Sequence, residues 1–214
     1  MFDFKKIKYL LLILPIIYSS GCSVLGISNV SEVKYTTIKK EDSYSVRNYS
    51  PVMLAEVTVS DNDYNQSSSK AFRILFNYIS GENSLDEKIS MTAPILKQKE
   101  ISVKIPMTAP VLVDQEKDGN WSMSFVLPDS YNLTNTPVPK NENIKVYMRK
   151  SEKVAVIRFN GRMTEKNRVK YTQMLNSWIK NHNYTQISGP IYAVYNPPWT
   201  LPIFRKNEVQ IVID

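Results

Sequence analysis

The sequence predicts an α+β domain, an antiparallel sheet with two helices packed on it. Three observations carry that prediction. Apolar and polar residues alternate over several short runs, as half-buried strands require, and two longer runs have apolar residues at helical spacing. The order of strands, helix, strands is also written twice, over residues 33–113 and again over 121–214, which predicts two similar half-domains. A chain of 214 residues holds one ordinary domain plus an N-terminal segment, and with 43% hydrophobic and 22% charged residues it has the composition of a protein that buries a core.

Residues 1–22 read as an export signal. Lys5, Lys6 and Lys8 make a positive start, and Tyr9 to Tyr18 is an apolar run too short to span a bilayer as a helix. Small residues Ser20 and Gly21 then precede Cys22, the single cysteine of the chain. This ending resembles the bacterial lipobox, with Ser19 standing where a leucine-like residue is usual, and it implies that Cys22 carries lipid. By resemblance to envelope lipoproteins, Ser23 after the cysteine implies the periplasmic face of the outer membrane where a cell has two membranes. Residues 23–32 are small and polar, as a tether is. A lone cysteine excludes an intramolecular disulfide, so the fold must stand on its core.

From Val33 the elements follow in order. Val52 to Val59 places Met53, Ala55, Val57 and Val59 on one face of a strand. Lys70 to Ile79 predicts a helix with Lys70, Arg73 and Asn77 on its polar stripe and the rest covered, stopped by Ser80 and Gly81. Next comes a phrase written twice at a spacing of sixteen residues, KISMTAPI from Lys88 and KIPMTAPV from Lys104. Each copy reads as an extended segment ended by its proline, Pro94 or Pro110. Asp114 to Asn120 predicts a hairpin turn between the halves; its opening mimics a calcium loop, but Phe125 stands where a bidentate glutamate is needed. A strand over Val154 to Phe159, a helix over Thr164 to Asn181 and a strand alternating at Val209, Ile211 and Ile213 complete the second half. That helix carries Tyr171, Met174, Leu175, Trp178 and Ile179 on one face and Lys166, Lys170, Gln173 and Lys180 opposite.

Hydrolytic and multi-ligand metal machinery is hard to assemble from these residues. There is one histidine, His182, and no GxSxG turn, so no serine, cysteine or zinc site of ordinary type is predicted and the protein is not expected to be an enzyme. The formal charge is +7, and it falls to +5 when residues 1–21 are removed. The lysines are scattered, with no basic helix or aromatic-basic platform, which argues against nucleic acid as a partner.

The repeated phrase, together with YSVRNYSPVMLAEVTV (44–59), AFRILFNYISGEN (71–83), MSFVLPDSY (123–131), VAVIRFNGR (154–162) and YNPPWTLPIFRKNEVQI (195–211), resembles the SOUL family of heme-binding proteins. The resemblance runs in family order from about Val33 to the last residue. It implies duplicated half-domains whose antiparallel sheet curls into a distorted barrel flanked by two helices, and heme or a related tetrapyrrole as the ligand. Heme needs an apolar slot, cations for its propionates and optionally an axial donor. Phe72, Phe76, Met91 and Met107 are candidates for the slot, and Lys70 or Arg73 for a propionate. The NPPW segment belongs to the family's ligand-facing region, which adds Arg205 and Lys206, although RKNEV also reads as the entry to the last strand. His182 is the candidate metal ligand, set against the plainer reading of a histidine at a helix C-terminus. An axial histidine of the kind proposed in the family would lie in the N-terminal half, where this chain has none, so iron is expected to be held without a protein donor or through Met or Tyr. The expectation is therefore a lipid-anchored envelope protein that reversibly binds heme as carrier, buffer or scavenger. The alternative is an effector-type small-molecule or protein-interaction module without physiological heme.

Overall fold

The computed structural model describes residues 32–60, 63–99 and 120–214. The export segment, Cys22, the tether before Glu32, the second copy of the phrase with Met107, and residues 114–119 of the expected hairpin turn lie outside the described residues. Among the described residues, nine strands and two α-helices follow in chain order: β1 (Tyr35–Glu41), β2 (Tyr44–Tyr49), β3 (Val52–Ser60), α1 (Tyr64–Ile79), β4 (Thr92–Lys99), β5 (Asn120–Val126), β6 (Ile144–Arg149), β7 (Glu152–Phe159), α2 (Glu165–Asn181), β8 (Ile191–Val194) and β9 (Asn207–Val212). All strand pairs are antiparallel, in one sheet of order β1-β2-β7-β9-β8-β4-β5-β3-β6. The expected α+β class and curled antiparallel sheet with two helices are what the structure contains.

The duplication is of a ββαββ unit, β2-β3-α1-β4-β5 and then β6-β7-α2-β8-β9, with β1 added as an exposed edge strand. The boundary differs from the expected one: the units run over residues 44–126 and 144–212, because β5 completes the first half and does not open the second. Each unit lends its first strand to the other. β2 pairs with β7 and β6 with β3, so neither half has a complete set of strands by itself. The halves meet where β4 pairs with β8, Ile95 opposite Val194.

Both faces of the sheet are covered, which accounts for strands more apolar than simple alternation predicts. On the convex face, Met53, Ala55, Val57, Val59, Met123 and Phe125 pack against Ala71, Leu75, Tyr78 and Ile79 of α1. The equivalent cluster of the second half joins Ala155, Ile157, Val209 and Ile211 to Leu175, Trp178 and Ile179 of α2. On the concave face Leu54, Leu96, Val126, Ile191, Ala193 and Tyr195 form a third cluster across the junction of the halves. β7 is consequently buried on both sides, with Val154 through Ile157 fully inaccessible, where a half-buried strand is expected from sequence.

α1 begins six residues before the sequence pattern announces it. Asp63 caps it, its Oδ1 accepting from Asn65 N and Gln66 N at 2.8 Å each. The first turns hold Ser67, Ser68 and Ser69, which are poor helix signals, yet their hydroxyls bond back to the carbonyls of Tyr64 and Asn65 within the helix. The helix ends as expected at Ser80, followed by Gly81 at φ 123°, a conformation only glycine adopts without strain. Thr164 caps α2 through Asn167 N.

The described copy of the repeated phrase departs from its expected shape. Pro94 does not end the strand; it lies near the start of β4, where the register with β5 shifts between Thr92 and Ile95. A bulge of this kind is where a strand tolerates a residue without an N–H.

Candidate functional site

Three places could receive a ligand, and each is built from a different layer. The first is the exposed side of α1. The register set by Asp63 buries Ser67, Ala71, Leu75, Tyr78 and Ile79, which leaves Ser69, Phe72, Arg73 and Phe76 as an outward stripe, with exposed Lys70 beside it. Sequence reasoning expects most of this helix to be covered. Instead Phe72 and Phe76 are 37% and 46% exposed, their rings stacked at 5.9 Å with planes 14° apart. Phe72 is steadied from below by the edge of Phe125 at 5.4 Å. Met91, just before β4, is partly buried and packs against the same cluster as α1. The structure thus gathers Lys70, Phe72, Arg73 and Phe76 on one surface, with Met91 against the core beneath α1.

The second place is the concave cleft between the halves, a cavity of about 200 Å³ lined by Leu54, Leu96, Ile191, Ser122, Tyr147 and Glu56 among others. Glu56 points from β3 onto this face, and its Oε2 accepts from Ser124 Oγ at 2.9 Å and from Tyr147 Oη at 3.0 Å. Burial, with the Glu56 carboxylate adding to it, holds the Tyr147 hydroxyl well above the usual phenol range, so it stays a donor. Deeper in the second half, Glu208 is fully buried and accepts two bonds from Arg47 Nη1 at 3.0 Å, one from Tyr195 Oη at 2.6 Å and one from Gln210 Nε2 at 3.0 Å. Arg47 in turn donates to Ser45 Oγ and Tyr49 Oη, and its guanidinium lies over the Tyr35 ring. Its charged centre, Arg47 and Glu208, is buried, with Tyr35 and Tyr49 at the more accessible edge, which makes it a brace across β2 and β9.

The third is an open groove of about 470 Å³ along α2, where Tyr44, Met174 and Trp178 are interspersed with Lys170, Gln173, Ser177 and Asn181. Met174, expected on the buried face, is 37% exposed here, while Arg168, not expected there, is 7% exposed, its guanidinium 3.6 Å over the Tyr64 ring and 5.7 Å from that of Tyr192.

The remaining candidates do not join the α1 surface. His182 caps α2, its ring stacked on Trp178 at 4.0 Å; Nδ1 lies 2.8 Å from the carbonyl of Trp178 and Nε2 lies 3.2 Å from Glu41 Oε2. Both ring nitrogens face acceptors, so iron would have to displace Glu41. Arg205 folds back on its own loop, Nε donating to Thr200 O at 2.8 Å and the guanidinium also to Pro198 O. Lys206 pairs with Glu32 at 2.6 Å and lies 3.9 Å over the Tyr195 ring. Among the described residues no group of three or more His, Cys, Asp or Glu is placed to hold a metal ion.

Sequence reasoning missed Glu56, Arg47, Glu208, Arg168 and Lys97, whose Nζ donates to Tyr64 O and Ser67 Oγ under α1 at 2.8 Å each. A weak signal existed: Glu56, Lys97 and Glu208 are charges inside apolar strands, and such charges are retained only with partners. Those partners lie up to 161 residues away, and spacing does not reveal them.

A family model described as SOUL heme-binding protein matches residues 30–212. No curated protein matches the sequence significantly. Among solved structures, the crystal structure of the EcmrR C-terminal domain is similar at a TM-score of 0.57 and 12% identity, covering 84% of this chain and 98% of that one. An uncharacterized conserved protein from Listeria innocua gives 0.53 at 13% identity over 80% of this chain and 92% of its own. A structure described as a hydrolase from Listeria innocua gives 0.50 at 12% identity, with 83% and 94% covered. At these identities the likeness is one of fold.

Proposed function

We propose, for a chain that belongs to the SOUL heme-binding protein family, that heme or a related tetrapyrrole is held on the outer side of α1, against Phe72 and Phe76, with Arg73 and Lys70 meeting the propionates. The observation that carries the reading is the stacked, exposed phenylalanine pair. Phe125 and Phe159 are buried in the core, whereas these two rings are left in contact with water, stacked one helical turn apart and beside Lys70 and Arg73. A flat macrocycle covers such a surface, and aromatic contact of this kind contributes about 0.5–1.5 kcal/mol per ring beyond the area buried. The α2 groove is the poorer host because Lys170, Gln173, Ser177 and Asn181 interrupt its apolar lining, so no pair of stacked exposed rings is presented there. The 200 Å³ cleft is below the roughly 300–1,000 Å³ of ordinary ligand pockets.

The iron is not what the α1 surface recognises, since His182 lies at the end of α2 with both nitrogens engaged. Binding through ring faces and carboxylates is indifferent to the metal. Metal-free protoporphyrin IX and hemin are therefore expected to titrate the mature chain with dissociation constants within about threefold of each other, by tryptophan quenching or absorbance. A preference for hemin above a hundredfold would contradict this and require an axial donor.

The wider role is a reversible carrier, buffer or scavenger, without turnover, held at the cell envelope by lipid on Cys22. The lipobox-like ending at Cys22 and the short tether support the anchoring. A second reading rests on Glu56. A half-buried carboxylate in a concave cleft suits a small organic cation, which would make the protein an effector-type binding module; a hydrophobic cation that binds wild type and is lost in Glu56→Gln, with hemin binding unchanged, distinguishes that site from α1.

A further inference from the structure

The loop between β8 and β9 exposes more large apolar surface than any core argument explains. Trp199 is 64% exposed, Leu201 46%, Ile203 70% and Phe204 43%. Scattered apolar residues are ordinary on a surface, but four within six positions form a patch that calls for a covering.

Much of the loop's backbone is also already hydrogen-bonded within the chain, which lowers the cost of leaving bulk water for a membrane interface. The carbonyls of Pro197, Pro198, Thr200, Leu201, Pro202 and Ile203 each accept a hydrogen bond from the chain. The donors are Thr200 N, the Arg205 guanidinium for both Pro198 and Thr200, Phe204 N, Gly161 N with Arg205 N, and Asn160 Nδ2. Pro197, Pro198 and Pro202 have no N–H to satisfy. An apolar medium penalises stranded backbone groups by several kcal/mol each; these six carbonyls are already paired, and the N–H groups of Trp199, Leu201 and Ile203 are left for the hydrogen-bonding headgroup zone. Arg205 is thereby explained as the clamp that ties the loop's carbonyls. Trp and Phe at the tip, with Arg162 exposed on the neighbouring turn, are residues that settle at the boundary between headgroups and acyl chains.

The position of Glu32, ten residues past Cys22, says what covers the patch. Glu32, the first described residue, pairs with Lys206 Nζ at 2.6 Å, immediately beside the loop. Ten residues, Cys22 to Ser31, separate it from the expected lipid. Fully extended they reach about 35 Å, and as a flexible coil about 17 Å, so the loop is held at the same membrane surface as the anchor. Proximity of this kind gives an effective concentration of the order of millimolar, at which even weak insertion is populated.

We propose that Trp199, Leu201, Ile203 and Phe204 insert into the interfacial zone of the bilayer that holds the chain's own lipid, fixing the orientation of the domain on the membrane. The proposal rests on the anchoring reading of Cys22. It is independent of the heme surface, which belongs to α1.

The test uses the full chain as matured in the cell, purified in detergent and reconstituted into phosphatidylethanolamine–phosphatidylglycerol vesicles with brominated or plain acyl chains. The Cys22 peptide is read by mass spectrometry in the same preparation. Brominated chains are expected to quench wild-type tryptophan emission, and Trp199→Phe to abolish the quenched component, since Trp178 is 7% exposed and Trp121 is partly buried against the second-half core, away from the β8–β9 loop. Leu201→Asp with Ile203→Asp is expected to abolish quenching while Trp199 remains, with circular dichroism confirming the fold. Acylated Cys22 with equal emission in both vesicles overturns the loop's role alone. Unacylated Cys22 removes the anchoring reading and this proposal with it, and leaves heme binding by α1 untouched.

Discussion

Glu208 illustrates what a single buried charge asks of its neighbours. Fully inaccessible, its carboxylate is held by Arg47, Tyr195 and Gln210, so removing it strands a guanidinium in the interior. Glu208→Ala is expected to lower unfolding free energy by about 3–5 kcal/mol, whereas Arg47→Met with Glu208→Leu should lose much less, because no uncompensated charge remains. Urea unfolding of both variants checks the order, and equal losses would contradict it. The same network makes a pH prediction. Burial pushes the Tyr49 hydroxyl up to about 12, and burial together with the Glu208 carboxylate raises Tyr195 well above its ordinary value. Unfolded tyrosines ionise near pH 10, so the contribution of these two is complete below about pH 10 and declines as pH rises through 12. Melting temperature measured from pH 8 to 12 should show that decline. In Tyr195→Phe the neutral-pH stability should fall by about 1.5–3 kcal/mol, for a lost bond to a charged group, while the alkaline slope becomes shallower. An unchanged slope would remove Tyr195 from the account.

At the scale of the element, α1 sets the site by its register. Its buried stripe is fixed by contacts with β3 and β5, and the opposite side is the face proposed to meet the ligand. The Asp63 cap holds the first turn, so Asp63→Ala is expected to cost about 0.5–2 kcal/mol by thermal melting and to leave the α1 surface intact. Loss of hemin affinity beyond twofold would mean that the cap does more than stabilise. This helix also shows where sequence reading stops. Its apolar run from Ala71 to Ile79 was legible, but seven apolar positions on one helix do not say which remain in water. That choice is made by which α1 residues meet β3 and β5, a tertiary contact. The serine-rich first turns hid the true start, because helix propensity is a weak signal where side chains bond back to the helix's own carbonyls. α2 was legible nearly to the residue, its face wrong only at Met174 and Arg168, where a ring of Tyr64 from the other half receives the guanidinium.

For the whole molecule, the repeat of strands, helix and strands was written plainly enough to give the fold class, and the exchange of β2 and β6 was not. Local pattern specifies elements; the pairing of Val46 with Ala155, 109 positions on, is decided by which edge each hairpin can reach. The exchange has a functional consequence, since it closes the concave face around Glu208 and Glu56 with side chains from both units and leaves only a small cleft there. Room for a macrocycle is left on the outside, on α1, and the account stands or falls on that surface. The decisive measurement is an absorbance titration of the mature chain with hemin, comparing wild type, Phe72→Ala with Phe76→Ala, and Met174→Ala in the α2 groove. The account predicts saturable one-to-one binding, weakened at least tenfold, about 1.4 kcal/mol, by the paired α1 change and unaltered by the other. Hemin affinity indifferent to Phe72 and Phe76 would contradict it.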